Sequence, residues 1–177
     1  MFILHLLGDL HQPLHLSGGY RGGNNISVCF GLHCGANVRN NLHTVWDTYI
    51  PHTMRRLAHY NTRNKDRASA KMWADELFAE QKAKGVSVRE QCGDVTEGQR
   101  CVLRWARESN ERVCGYVLKE GVEWVKRNDL SREYYEGAVP IVKTAVGNAG
   151  VRLASWLEAM VEGAKADAAM RGNGFEL

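Results

Sequence analysis

Hydrophobic positions recur every three or four residues over most of this chain, which is the period of an amphipathic helix. The pattern predicts helices over residues 68 to about 84, 97 to about 118 and 131 to about 166. Residues 2 to about 10 are apolar on most faces, which predicts a buried helix. Pro13 should end that helix, because proline cannot continue the hydrogen-bond ladder.

One stretch of the chain departs from the helical period. Residues 26–30 alternate between apolar and polar side chains, as a short strand does, and residues 31–35 can turn it into a hairpin. Asn40 or Asn41 then caps a further helix, which Pro51 should bend or interrupt. The expected fold is a mainly α, multi-helix single domain with a small β-hairpin.

Length and charge are those of an ordinary globular domain. A chain of 177 residues fits one domain, which we expect to span residues 1–165, followed by a flexible tail over residues 166–177. The formal charge of +3 is too small to indicate a surface dedicated to nucleic acid. A polyanionic substrate remains compatible with this charge, because bound metal ions add local positive charge. No apolar run approaches the length of a membrane span.

The cysteines are Cys29, Cys34, Cys92, Cys101 and Cys114. None belongs to a C-x-x-C pair, so we do not expect thiolate ligands for a metal. Close spacing predicts local disulfides for Cys29–Cys34 and for Cys92–Cys101, with buried free thiols as the alternative. Disulfides indicate an oxidising compartment, and we expect a secreted or secretory-pathway protein whose signal peptide is not in this sequence. Asn25 begins a glycosylation sequon, which has meaning only in such a protein.

Two histidine–aspartate pairs carry the candidate chemistry. His5 with Asp9, and His43 with Asp47, stand four residues apart, so that each pair lies on one face of a helix. His15 follows the first pair. Imidazole nitrogen with carboxylate oxygen suits zinc in a site that keeps one position open for water. These residues predict a metallohydrolase, and the alternative is two polar patches whose histidines are satisfied by hydrogen bonds.

Three stretches of the chain resemble the zinc-dependent single-strand nucleases and 3′-nucleotidases, the S1/P1 class. They are residues 2–15 (FILHLLGDLHQPLH), residues 22–24 (GGN) and residues 41–48 (NLHTVWDT). Residues 138–142 and 149–154 are similar to the last long helix of that family. The resemblance spans most of the chain, in the expected order.

The resemblance implies a helical fold shared with the zinc phospholipases C, and a cluster of three zinc ions. It also implies hydrolysis of single-stranded DNA and RNA to 5′-phosphate products, and removal of 3′-phosphates from nucleotides. By position, His15, His43 and Asp47 match the three protein ligands of one zinc. His5 matches a ligand of a second zinc. Asp9 matches the carboxylate that bridges the second zinc to a third, and is therefore the residue expected to act in catalysis.

The same resemblance leaves the zinc pair incomplete in this sequence. The remaining ligands of the family are an N-terminal Trp and further His and Asp residues, and none has a counterpart before His5. We therefore expect a chain that lacks the N-terminal part of its family and in which one zinc site is complete. Cys114 resembles a family cysteine whose disulfide partner also lies upstream. Two alternatives stay open: an impaired module that binds zinc and nucleotides, and a lipid hydrolase related to zinc phospholipase C.

Three further residues carry weaker expectations. Tyr49 corresponds to a position near the base-binding pocket of the family, with ordinary packing as the alternative. His11 stands two residues from Asp9 and should face away from the metal, at the surface or behind the ligands. Asn41 should cap its helix or orient His43.

Overall fold

The computed structural model describes residues 2–34, 40–56, 63–85, 92 and 95–172, with the side chains of residues 63–66, 95 and 167–172 left aside. Its α-helices are α1 (Phe2–Asp9), α2 (Leu42–Thr44), α3 (Ile50–Met54), α4 (Arg63–Ala83), α5 (Gly98–Arg112), α6 (Val122–Arg127) and α7 (Glu133–Gly172). Wider π-helical turns occur at Val45–Tyr49 and Val113–Val117, and tighter 3-10 turns at Pro13–Leu16, Gly19–Arg21 and Val95–Glu97. The mainly α prediction is confirmed.

The long helices predicted from periodicity are present. The helix α4 begins earlier than expected, at Arg63, and α5 continues into the π-helical turn Val113–Val117. The helix α7 continues to Gly172, and residues 173–177 of the expected tail lie outside the described residues. The domain boundary expected at residue 165 stays a prediction. None of the helices in the described part of the chain is both long and apolar enough to cross a membrane.

Residues 42–54 form one rod, the α2–α3 helix, which runs through the main core. Leu42, Val45 and Ile50 are each 0% exposed. The hydroxyl of Tyr134, on α7, accepts a hydrogen bond from Trp46 Nε1 at 2.9 Å and donates one to a backbone carbonyl at 3.0 Å. Burial raises the pKa of Tyr134, so the hydroxyl keeps the proton that it donates. Packing and the hydrogen bonds of Tyr134 therefore hold the α2–α3 helix in place.

Residues 26–30 keep the predicted alternation of buried and more exposed side chains, but they form isolated β-bridges and no ladder. Phe30 and His33 exchange both of their backbone hydrogen bonds across a two-residue turn. Within the described residues, the predicted hairpin consists of one tight turn, which the Cys29–Cys34 disulfide closes, and residue 35 lies outside them.

Both predicted disulfides, Cys29–Cys34 and Cys92–Cys101, are confirmed. The second links the segment before α5 to the first turn of that helix. Cys114 is a free, exposed thiol.

The helix α1 forms where it was predicted, but the prediction that it is buried is wrong. Leu7 is buried, whereas Phe2 is 83% exposed and Leu6 is 60% exposed. Leu7 packs on a small second core that contains Trp105 and Cys101. The described residues place no other element over the outer side of α1. Apolar character on most faces of this helix therefore did not mean burial on most faces.

Candidate metal centre

The α2–α3 helix presents His43 and Asp47 on one face. Asn41 caps its first turn, because its side-chain oxygen accepts a hydrogen bond from the backbone N–H of Thr44 at 2.8 Å, as predicted. Asp47 lies in the π-helical turn Val45–Tyr49, a geometry that is frequent at functional sites. This turn is the interruption expected near Pro51, and the helix continues beyond it to Met54.

The short 3-10 turn Pro13–Leu16 presents His15 toward the same face. Gln12 caps this turn through its Oε1, which accepts from the backbone N–H of Leu14 at 2.5 Å. The Nε2 of the same side chain donates to Asp47 Oδ1 at 2.8 Å. Leu14 is 1% exposed and anchors the turn in the main core. One side chain, Gln12, therefore ties the turn to the α2–α3 helix.

His15, His43 and Asp47 converge on one point. The Nε2 of His43 lies 3.1 Å from Asp47 Oδ2, and the Nε2 of His15 lies 3.3 Å from Asp47 Oδ1. The two imidazole rings are parallel, with 4.8 Å between their centroids. Among the residues that the structure describes, these three form the group whose donor atoms all lie within 4.8 Å of one another. Their side chains are 21% to 37% exposed, so the point is open to solvent.

A backbone carbonyl sets the tautomer of His43. The carbonyl oxygen of Gly22 lies 2.7 Å from Nδ1, which therefore carries the hydrogen and leaves a lone pair on Nε2. Gly22 has a φ of +62°, and a Cβ at this position would lie 2.7 Å from the carbonyl oxygen of Leu14. Only glycine fits without displacement, so the residue at position 22 controls how His43 is held.

The donor atoms face one another in an arrangement that a proton or a bound metal ion stabilises. The lone pair of His43 Nε2 points at a carboxylate oxygen of Asp47, so two acceptors stand 3.1 Å apart. His15 lies between two carboxylates, 3.5 Å from Asp9 and 3.3 Å from Asp47, and a neutral imidazole can donate to one of them only. A proton or a metal ion turns this repulsion into attraction. Two donors of a tetrahedral zinc, with bonds of about 2.0–2.1 Å, are separated by about 3.4 Å, which is close to the two histidine–aspartate distances of 3.1 and 3.3 Å.

His5 and Asp9 extend the centre but do not join the group of three. The Nε2 of His5 lies 3.2 Å from Asp9 Oδ2, and the other oxygen of Asp9 faces His15. The side chain of His5 is 75% exposed. The predicted residues thus form a row, in the order His5, Asp9, His15, Asp47, His43. Sequence reasoning identified the members of this row and missed the contacts that Gln12 and Gly22 make with it.

A groove borders the centre. Its volume is about 750 Å³, and it is lined by Asp9, His15 and His43 together with apolar side chains such as Leu6 and Trp156. Binding grooves of proteins combine such an apolar lining with a few polar groups.

Tyr49 and His11 lie close to the ligand row in sequence. The ring of Tyr49 is half-buried and stacks on that of His33 at 4.7 Å. His11 faces away from the centre as expected, but the surface position considered for it is wrong, because it is 5% exposed. Burial lowers the pKa of His11, and the nearby guanidinium of Arg152 lowers it further.

Comparison with known proteins gives one family and a set of relatives. Residues 1–162 match the model of the family described as S1/P1 Nuclease. The chain is 32% identical to Nuclease S1 of Aspergillus oryzae over 161 residues, which is 89% of this chain and 52% of that protein. It is 29% identical to Nuclease P1 of Penicillium citrinum, over 88% of this chain and 55% of that protein. It is 31% identical to Endonuclease 1 of Arabidopsis thaliana, over 87% of this chain and 46% of that protein. The chain thus spans about half the length of the curated relatives that it matches.

Proposed function

This chain belongs to the S1/P1 nuclease family, and on that premise we propose that it serves zinc-dependent hydrolysis of single-stranded nucleic acid. The substrates are single-stranded DNA and RNA, the products carry 5′-phosphates, and 3′-nucleotides lose their phosphate. The observation that carries the proposal is the convergence of two imidazole nitrogens and a carboxylate on one solvent-facing point. The family and the two fungal relatives are named as nucleases.

His15, His43 and Asp47 hold one zinc ion in this proposal. Support comes from the lone pairs that face carboxylate oxygens and from a donor spacing that suits a tetrahedral ion. Asp9 is the bridging, catalytic carboxylate of a second site, because its two oxygens face two different histidines. His5 is a further ligand of that site. The family carries three zinc ions, whereas the described residues supply one complete set of ligands.

Zinc, when bound, polarises a phosphoryl oxygen and acidifies water. The residues of this chain orient the metal ion and the substrate at this centre. Gln12 and the carbonyl of Gly22 hold Asp47 and His43 in fixed orientations, as groups behind metal ligands commonly do. The neighbouring groove keeps an apolar wall beside the polar centre, which excludes water from one side of a bound substrate.

Tyr49 is proposed to contribute to substrate binding. The corresponding position in the family lies near the base-binding pocket, and an aromatic face can stack on a nucleobase. Ordinary packing is the competing role, and the stacking of His33 on this ring favours it. Replacing Tyr49 by Phe keeps the stacking face, whereas replacement by Ala removes it. A role in substrate binding requires that KM rises in the Ala variant and not in the Phe variant.

The two disulfides support a place in the secretory pathway or outside the cell, where the redox environment preserves them. Asn25 is exposed, as a glycosylated asparagine must be. Expression with a secretion signal, followed by mass measurement before and after removal of N-glycans, tests this part of the proposal.

A second candidate function is a module that binds zinc and nucleotides without hydrolysis. The observation that favours it is the separation of His5 and Asp9 from the group of three, which leaves the described residues with a single complete site. Both functions need His43, and only hydrolysis needs Asp9.

The test combines zinc content with hydrolysis of a single-stranded oligonucleotide by the purified chain. We expect zinc in the unmodified protein and none at this site after His43→Ala. His33→Ala is the matched control, because this histidine lies outside the ligand row and should leave the zinc in place. Unchanged zinc content after His43→Ala would refute the ligand assignment.

The products separate the candidate functions. Oligonucleotides with 5′-phosphates support the nuclease. One zinc per chain without hydrolysis supports the binding module. Cleavage of phosphatidylcholine without cleavage of nucleic acid would indicate a lipid hydrolase and contradict the proposal.

A further inference from the structure

We propose that His11 is a positioning residue for Asp9, and that the buried side chain of Arg152 holds His11 in place. The inference rests on the proposed function in one respect, the role of Asp9 as a metal ligand. It concerns His11 in the turn that follows α1, Arg152 on α7, and Glu108 and Trp105 on α5.

The end of α1 leaves one backbone carbonyl to be satisfied by a side chain. The N–H of Leu10 bonds to the carbonyl of Leu6, and the N–H of His11 bonds to the carbonyl of Gly8, each at 3.0 Å. The carbonyl of Leu7 lies between them and accepts from the imidazole Nδ1 of His11 at 2.7 Å. The side chain of His11 therefore closes the last turn of α1, and Asp9 lies inside that closed turn.

Arg152 fixes the orientation of the His11 ring. Its Nη1 lies 2.8 Å from His11 Nε2, and a guanidinium can only donate, so Nε2 accepts and Nδ1 keeps its hydrogen for Leu7. The Nη2 of Arg152 donates to Glu108 at 2.5 Å, and the guanidinium stacks over the ring of Trp105 at 5.0 Å from its centroid. Arg152 is 4% exposed. A buried guanidinium with these partners has little freedom to move.

These contacts of His11 matter because α1 makes few other contacts with the described part of the chain. Leu7 is the residue of α1 that is buried, and the outer side of the helix is exposed. A small rotation of α1 about its axis would carry Asp9 away from His15, from which it is 3.5 Å distant. The contact of His11 with Arg152, which joins the end of α1 to α7, opposes that rotation. The contact between His11 and Arg152 thus determines the orientation of Asp9.

The experiment is a titration of the 177-residue chain with Co²⁺, which replaces zinc and has a visible spectrum. We expect His11→Leu and Arg152→Met each to weaken Co²⁺ binding about 10-fold, the lower end of what groups behind metal ligands contribute. Asp9→Asn should weaken binding as well, because the carboxylate of Asp9 lies 3.5 Å from His15, a ligand of the complete site. If His11 acts through Asp9, the double variant His11→Leu with Asp9→Asn should bind no more weakly than Asp9→Asn alone.

Two further variants separate positioning from general stability. His11→Asn keeps an N–H near the position of Nδ1 and should restore part of the affinity, and it also serves if His11→Leu fails to fold. Val125→Ala removes buried methyl groups on α6, outside the ligand row, and should lower the urea midpoint without changing the Co²⁺ affinity.

Three results would overturn the inference. The first is a wild-type Co²⁺ affinity in both His11→Leu and Arg152→Met. The second is an additive loss of Co²⁺ affinity in the double variant. A loss of affinity in Val125→Ala as large as that in His11→Leu is the third, because it would make stability the cause. The proposed function is judged separately by His43→Ala, which abolishes binding at the complete site whether or not His11 positions Asp9.

Discussion

The His43–Asp47 pair and the His5–Asp9 pair have the same spacing along the chain, and their side chains approach to 3.1 Å and 3.2 Å. The helices that carry the two pairs differ in how much of their surface is buried in the core. The α2–α3 helix runs through the main core, with Leu42 at 0% exposure. The helix α1 exposes most of its length, and the side chain of His5 is 75% exposed.

The comparison teaches that spacing brings a histidine and an aspartate together, and that contacts behind these side chains hold them in position. His43 is held by a backbone carbonyl, and Asp47 receives a hydrogen bond from Gln12. Such partners fix a ligand before the metal arrives and raise its affinity. The support for the pair on α1 is less direct, because His11 bonds to the backbone carbonyl of Leu7 rather than to the side chain of Asp9.

The largest expected difference between the two regions is in metal binding. His43→Ala should weaken zinc binding at least ~100-fold, because it removes a donor from the group of three, a larger change than the loss of a group behind the ligands. His5→Ala is the matched variant on α1 and should weaken binding by less than about 10-fold. Competition with a chromogenic zinc chelator measures both. Equal losses of zinc affinity in the two variants would contradict the expected difference between the two regions.

The next difference is in the free energy of unfolding. Ile50 is 0% exposed in the core beneath Asp47, so Ile50→Ala should lower this free energy by about 2–5 kcal/mol. Leu6 is 60% exposed on α1, so Leu6→Ala should change it by no more than about 0.5 kcal/mol. Urea unfolding followed by circular dichroism gives both values. A loss in Leu6→Ala as large as in Ile50→Ala would mean that the outer side of α1 is covered in solution.

A smaller effect is expected at the turn that holds His43. Gly22→Ala places a Cβ against the carbonyl of Leu14 at a positive φ, which should cost about 1–3 kcal/mol of unfolding free energy. The same change should weaken zinc binding, because the carbonyl that orients His43 moves. Gly18→Ala is the control, since nothing lies within 4 Å of its Cβ position. If the two variants are alike in stability and affinity, the turn does not orient His43.

The sequence alone predicted the helices and the approach of each histidine to the aspartate four residues later, because both depend on local spacing. A period of three or four residues defines a helix, and a spacing of four brings His43 to Asp47. The resemblance to a known family added the place of His15. Both short disulfides were predictable for the same local reason.

What the sequence could not predict depends on distant contacts. Hydrophobicity indicated that α1 could be buried, and not whether a partner covers it. The position of His11 relative to Asp9 showed which way it faces, but its partner Arg152 lies 141 positions away. Gln12 and Gly22 likewise act on residues 35 and 21 positions away, at distances that only the folded chain defines.

The smallest predicted effect tests how loosely α1 is attached. Gly8 lies in the last part of α1, is exposed, and has nothing within 4 Å of its Cβ position, so Gly8→Ala should stabilise the helix by about 0.5–1 kcal/mol. Because α1 buries little, this gain should slow amide hydrogen exchange within residues 2–9 and leave the urea midpoint of the whole chain nearly unchanged. A rise of the midpoint by the full amount would show instead that α1 unfolds together with the core, in which case the two regions are one cooperative unit and the exposed surface of α1 does not make it independent.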